Sequence, residues 1–329
     1  MTHQADRKTD PAAGYEALRT TAAAHVLPRD VVRVSGPEAT SYLQGQCSQD
    51  VAGLGPGAAA DALLLSPQGK VDAFIRVIRT ADDEFVIDAD AGFGPVVTAR
   101  LERFRLRTKV QIEPLAWVCV AVRGPAAAEA IVGKPPLGVP VEWPGLSGFD
   151  LLGPAPMASE APWVGDQTVR CGDEAWEAAR IEAGVPVNGR EVVEGTIAAE
   201  VGLVDRAVSF TKGCFTGQEL VARLDARGSK VARRLCGVVL ETAGDDGGDQ
   251  GEGPGSAAPP VGATVFTSDR GHEVGHLTSV AWSPGIGAPV ALAVLHRRVS
   301  PPADVSVSWG RDGDEGEGRA EARPLPLIG

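Results

Sequence analysis

Beyond Gly228 the chain holds strand-like segments and nothing with helical periodicity, and that switch limits its architecture more than any other feature. Val231–Leu240, Ala263–Thr267, Glu273–Trp282, Pro289–Leu295 and Asp304–Trp309 are apolar or alternating, and Gly, Pro, Asp and Ser bound them. That pattern marks strands. Successive strands without crossover helices pair antiparallel and bury a shared face. The expectation is an all-β C-terminal unit over residues 229–329, a small antiparallel β-barrel. Within it, residues 241–260 are nearly all Gly, Asp, Glu, Ala and Pro. They cannot bury a core, so a disordered loop between two strands is expected. Arg311–Ala322 has the same cast.

Upstream, helices and strands mix. Residues 1–28 read as a loose leader with a short helical piece around Tyr15–Ala24. Val31–Val34 reads as a strand, and Ser35-Gly36-Pro37 as a helix start that turns Ala39, Tyr42 and Leu43 inward. Ala62–Leu65 and Val71–Ile78, joined by Ser66-Pro67-Gln68-Gly69, predict a hairpin, with Glu84–Asp88 a third strand. Val96–Leu106 has helical spacing, Val110–Ile112 and Trp117–Val122 read as strands, and Gly124-Pro125 opens another helix. Residues 133–166 are rich in Gly and Pro and read as irregular. After a strand near Val169, a helix over Glu174–Glu182 stops at Gly184-Val185-Pro186, and a last helix spans Gly217–Ala226. Residues 29–228 thus form one α+β body.

No stretch of the 329 residues approaches the roughly 20 apolar residues of a membrane span. The polar residues Met1–Asp10 lack the apolar core of a signal peptide, which favours a cytoplasmic protein. The net charge of −12 argues against direct nucleic-acid binding, which rests on clustered cations. The five cysteines are scattered, with no CxxC pair, and form neither a disulfide framework nor a ready zinc or cluster site.

Chemistry concentrates in Lys212-Gly213-Cys214-Phe215-Thr216-Gly217-Gln218-Glu219. Glycines on both sides let backbone approach a ligand. Lys212 and a helix N-terminus near Thr216 would favour a thiolate at Cys214. Redox work, transient metal ligation and cofactor contact are all compatible with this grouping, as is a plain turn cysteine. Trp176 and Arg180 share a helix face. Read plainly, that helix is amphipathic, with Trp176 in the core and Glu182 solvated; a pocket would instead use the carboxylate for heterocycle N–H donors and the indole for its flat face. His272-Glu273-Val274-Gly275-His276 matches HExxH but sits on strand-like sequence, where the two histidines lie about 13 Å apart. Gly53, Gly55 and Gly57 lack the strand and helix of a dinucleotide fingerprint. Arg223–Arg234 is a local basic run, either a solvated face or a receptor for an anionic group.

The octapeptide resembles the signature of YgfZ-type folate-binding proteins, relatives of the T-protein (aminomethyltransferase) of the glycine cleavage system, with Phe215 where tyrosine is usual. Tyr42–Gln46 with Asp50-Val51, Gln68-Gly69-Lys70, Arg180–Pro186, Thr196-Ile197 with Glu200–Leu203, and Gly275–Ser279 follow the family's order. The resemblance implies an α+β, T-protein-like mixed α/β folate-binding body with a C-terminal antiparallel β-barrel. It implies tetrahydrofolate, or a one-carbon derivative, in a central cavity. Trp176, Glu182, Arg180 and Asp72 would contact it, with Arg223 toward its glutamate tail and Cys214 with Lys212 at the cavity or its rim. It further implies iron–sulfur client or assembly proteins as partners and, through them, tRNA modification. Two positions depart from the pattern. The T-protein's Asp-Asp pair is Asp72-Ala73 here, which argues against aminomethyl transfer. Pro28-Arg29 stands where some relatives carry tryptophan. The alternatives are a folate-dependent one-carbon transferase and, less favoured by charge, a tRNA-binding module.

Overall fold

The computed structural model describes residues 10–154, 163–226, 228, 230–241, 258–311 and 314–328. Helix α1 (Pro11–Thr20) is capped by Asp10, whose carboxylate accepts from the Ala12 amide. Tyr15, Ala17 and Leu18 form its buried face. Strand β1 (Ala23–Leu27) follows at once. The described part of the expected loose leader is therefore a helix and an interior strand. Its apolar face comes from so few residues that composition hid it.

Next come β2 (Arg29–Ser35), α2 (Ala39–Gln46), β3 (Ala59–Leu65), β4 (Val71–Ala81), β5 (Glu84–Asp90), α3 (Gly94–Arg105) and β6 (Gln111–Leu115). The first sheet has the order β3-β4-β5-β2-β6, antiparallel throughout. The β3–β4 hairpin turns at Ser66–Gly69 as its sequence predicts. Ala39, Tyr42 and Leu43 of α2 and Val97 and Leu101 of α3 pack on this sheet with Val34, Ile75 and Phe85.

Strands β7 (Trp117–Arg123), β8 (Leu137–Trp143), β9 (Leu146–Pro154) and β10 (Val169–Arg170) join β1 in a second sheet of order β10-β1-β7-β9-β8. Two expectations change here. The helix expected after Gly124-Pro125 is a run of turns. Residues 137–154, expected to be irregular, form a hairpin in which Val139, Val141, Leu146, Leu151 and Leu152 are buried. Its glycines are what a tight sheet needs: a Cβ on Gly148 would lie 2.0 Å from the Val122 carbonyl oxygen of β7.

Helix α4 (Asp173–Ala183) ends at Gly184 in the left-handed region, φ 71°, as predicted. Two short helices, α5 (Val204–Ala207) and α6 (Gln218–Asp225), complete the body.

Strands β11 (Arg233–Leu240), β12 (Thr264–Thr267), β13 (Glu273–Ser283), β14 (Ala288–His296), β15 (Ala303–Arg311) and β16 (Asp314–Arg323) close a barrel of order β11-β14-β13-β12-β15-β16, sealed by β11–β16 pairing. The predicted barrel is present, with one strand more than predicted. The segment read as featureless, Arg311–Ala322, is mostly β16. Its inward positions include Ala320 and Ala322, both buried. Such small residues give no hydrophobic signal. Glu273 opens β13, so His272 precedes the strand and His276 lies on it, and neither is on the helix a zinc-binding HExxH needs. Most of the loop expected to be disordered lies outside the described residues.

The barrel docks on α4. Ile181 packs with Leu235, Val239, Val290 and Leu292. Residues 324–328 run through the seam: the Leu327 amide donates to the Glu182 carbonyl (2.7 Å), and Leu325 and Leu327 lie over Gly184 and Gly237. No described helix is long and apolar enough to cross a membrane.

Candidate functional site

The octapeptide loop is held against the C-terminal end of α2. Lys212 Nζ donates to the carbonyls of Gln44 (2.6 Å), Cys47 (2.7 Å) and Gln49 (2.8 Å). These use all three ammonium donors, and burial lowers the pKa of Lys212. Lys212 therefore caps α2; its ammonium has no donor left to stabilise a thiolate at Cys214. Gly217, at φ 81°, faces Gly69 of the β3–β4 turn, and a Cβ there would lie 2.5 Å from the Ser66 carbonyl oxygen. Nothing crowds Gly213. Cys214 is exposed, whereas the other four cysteines are buried. Helix α6 starts at Gln218, not Thr216.

The main cavity lies elsewhere, where both sheets, α4 and β13 converge. Its volume is about 980 Å³, at the upper end of small-molecule sites. One wall is aromatic. His25 of β1 stacks on Trp176 of α4 at 4.7 Å between ring centroids with planes 15° apart, and Trp143 of β8 meets Trp176 at 4.9 Å. The Arg123 guanidinium lies 5.2 Å from the Trp143 ring and 5.4 Å from that of Trp176. His25 Nδ1 lies 3.0 Å from the Cys171 carbonyl oxygen, and burial lowers its pKa. Its imidazole is accordingly neutral at neutral pH, with Nδ1 donating to the carbonyl.

The aromatic cluster runs on through Arg123 into an ionic chain. Arg29 bridges Asp90 (2.5 Å) and Asp88 (3.0 Å), Arg76 bridges Asp88 and Asp150, and Arg123 reaches Asp150 at 2.6 Å. Burial would raise the pKa of Asp150, but Arg123 and Arg76 outweigh it and hold the carboxyl well below the usual range. Three guanidiniums balance three carboxylates. Even so, the buried Nε atoms of Arg29 and Arg123 have no hydrogen-bond partner among the described residues. Both residues line the cavity, but these two Nε atoms are enclosed by protein and do not face into it. Asn188 clamps the rim, accepting from the Phe74 amide and donating to Asp90, both at 2.8 Å.

Of the residues singled out in the sequence, Trp176 and Arg180 line the cavity. Arg180 also ties α4 to the barrel, donating to Glu177 (2.6 Å), Glu191 (3.2 Å) and Ser279 (2.5 Å). Glu182 does not line it. This carboxylate is fully buried on the far side of α4, accepting from Tyr15 (2.9 Å), Arg19 and Ser283. A helix advances about 100° per residue, so Glu182 points away from the face that Trp176 and Arg180 share. Asp72 is also outside, paired with Arg100 of α3 at 3.1 Å. Arg223 lies exposed on α6, paired with Glu219. Cys214 and Lys212 are absent from the cavity wall.

Sequence reasoning missed His25, Arg123, Trp143 and Asp150, and a rim pair, Asp61 with Arg206. These come from strands and a short helix far apart in sequence, with no local motif. The one available signal was Trp143, a bulky aromatic beside a glycine turn in a segment read as irregular.

Residues 14–134 match the family profile described as the GCVT N-terminal domain. An aminomethyltransferase of Corynebacterium jeikeium is 26% identical over 312 residues, covering 80% of this chain and 76% of its own. A mitochondrial iron–sulfur cluster assembly factor IBA57 homolog of Pyricularia oryzae is 29% identical over 239 residues, covering 69% of this chain and 58% of its own. The crystal structure of the glycine cleavage system aminomethyltransferase T from Bartonella henselae matches with a TM-score of 0.78 at 22% identity, covering 96% of this chain and 89% of that one. At that identity the likeness is one of fold.

Proposed function

We propose that this chain, which belongs to the glycine-cleavage T-protein superfamily, is a YgfZ-type cytoplasmic accessory protein that binds tetrahydrofolate, or a one-carbon derivative, and supports assembly or repair of iron–sulfur proteins and through them tRNA modification. The observation that carries the binding is the cavity: about 980 Å³, lined by an aromatic cluster that runs through Arg123 into a buried ionic chain. The residues fit the cofactor. Trp176, Trp143 and His25 offer aromatic surface to a planar pterin, and Arg29, Asp90, Asp150 and the ion pairs Arg180–Glu177 and Arg206–Asp61 bring polar groups of both signs to the same cavity. Bound tetrahydrofolate supplies nitrogen atoms that carry a one-carbon unit. The protein's part is to hold the ring dry, by burial of Trp176 and His25, and to keep His25 neutral. Cys214 works on the outer surface in this reading, accessible to a protein partner rather than to the folate.

Titrating tetrahydrofolate should quench tryptophan fluorescence saturably, with the effect largely lost in Trp176→Ala. Quenching unchanged by that substitution would overturn the site. Complementation of a null strain tests Cys214: Cys214→Ala should restore iron–sulfur enzyme activity incompletely, and full restoration would remove the thiol from the function.

A second reading, aminomethyl transfer, is favoured by the name of the Corynebacterium jeikeium relative. Against it, Asp72 is engaged by Arg100 outside the cavity and Ala73 carries no carboxylate. Turnover of an aminomethylated lipoyl carrier protein with tetrahydrofolate would establish it.

A further inference from the structure

Helix α3 ends in Arg103-Phe104-Arg105-Leu106-Arg107-Thr108-Lys109, which sets four cations in seven residues of a chain with net charge −12. The helix dipole accounts for Arg103 and Arg105 in the last turn, and Arg105 pairs with Glu102. Arg107 and Lys109 lie beyond the helix. Arg103, Arg107 and Lys109 are exposed and have no ion-pair partner among the described residues.

Leu106 stands at the apex. Among the described large apolar residues it is the most exposed, at 87%. Its backbone has φ 46° and ψ −113°, a region that disfavours any residue with a Cβ. Glycine would take that conformation at no steric cost. The apex is also rigid. Leu101 and Val110 anchor its two flanks in the core, the Thr108 amide donates to the Arg105 carbonyl (2.8 Å), and the Lys109 amide to Glu38 (2.5 Å). A strained, fixed, solvent-facing leucine ringed by unpaired cations serves nothing in the isolated fold, and strain of this kind marks recognition sites.

We infer that the α3 apex docks an acidic segment of a protein partner, with Arg103, Arg107 and Lys109 receiving carboxylates and Leu106 entering an apolar pocket between them. The apolar tip decides among anionic partners. A phosphate backbone offers Leu106 nothing to bury against. One leucine is too little apolar area for a membrane surface. The apex is braced on the element that holds the Cys214 loop: Arg100, one turn earlier, donates to Gln46 at the end of α2 (3.0 Å), the helix end capped by Lys212.

The test uses the full chain and a fluorescein-labelled 12-residue peptide of Asp, Glu and Leu, beside a labelled oligothymidine of equal length and phosphatidylserine vesicles. The peptide should bind with salt-sensitive affinity. The triple substitution Arg103→Glu, Arg107→Glu, Lys109→Glu should weaken binding at least about tenfold. Leu106→Ser should weaken it severalfold without changing the salt dependence. Leu106→Gly, which relieves the backbone and keeps the chain folded, should weaken it alike, which separates a lost contact from a lost fold. Peptide affinity unmoved by both the charge reversal and Leu106→Gly, or tighter binding of oligothymidine or vesicles than of peptide, would overturn the assignment.

Discussion

Asp150 holds the cavity's ionic wall together, because it is the one carboxylate shared by Arg76 and Arg123. Its folded pKa lies below the unfolded value of about 3.9. Its stabilising contribution is thus complete above that value and is lost as pH falls through the folded pKa. Asp150→Asn strands buried guanidinium charge and should cost about 3–5 kcal/mol at pH 7. Urea unfolding of both proteins should show this gap narrowing as pH drops below about 4. A gap of constant size would show that Asp150 is not ionised in the fold. The same scale shows what sequence can reveal of a site. Trp176 and Arg180 were readable because four residues make one helix face. Glu182 was assigned to the folate by the resemblance alone, while its angular position on the helix turns it to Tyr15, Arg19 and Ser283. Asp150, Arg123 and His25 were unreadable because only pairing between remote strands brings them together.

Elements with a strong period or a distinct stop were legible: α4 with Gly184, the β3–β4 hairpin, and most barrel strands. The β8–β9 hairpin and β16 were not. In the hairpin, Gly138, Pro140, Gly148 and Gly153 read as breakers, although Gly148 and Gly153 are there to admit close neighbours; in β16 the buried Ala320 and Ala322 give little hydrophobic signal. Gly148→Ala tests this. The added methyl would meet the Val122 carbonyl and push β9 from β7, the strand that carries Arg123. The expected loss is about 1–3 kcal/mol, read by denaturant unfolding. Gly213→Ala in the octapeptide, where nothing crowds a Cβ, should stay within about 0.5 kcal/mol of wild type. Equal effects at the two positions would refute the packing account.

Across the whole molecule, Glu191 joins body to barrel. It is buried and accepts from Arg180 (3.2 Å), the Val187 amide (3.1 Å), Thr278 (2.8 Å) and Ser279 (2.6 Å). Removing it leaves one Arg180 N–H and the Ser279 hydroxyl short of an acceptor, while Thr278 keeps the Leu292 carbonyl at 3.0 Å. Glu191→Ala should lower stability by about 3–5 kcal/mol and split a single calorimetric transition into two, the barrel melting apart from the body. One unshifted transition would mean that apolar contacts around Ile181 suffice. The barrel closes by pairing its first strand, β11, with its last, β16, while Leu325 and Leu327 fill the seam against α4. On a ribosome, the chain delivers β16 and the seam residues after every other strand of the barrel. The body can gather its two sheets while still tethered, but the barrel keeps two open edges, and the groove beside α4 stays wet, until β16 and the seam residues leave the exit tunnel. The cavity, roofed partly by β13, therefore takes its final shape only after β16 and the seam residues have emerged.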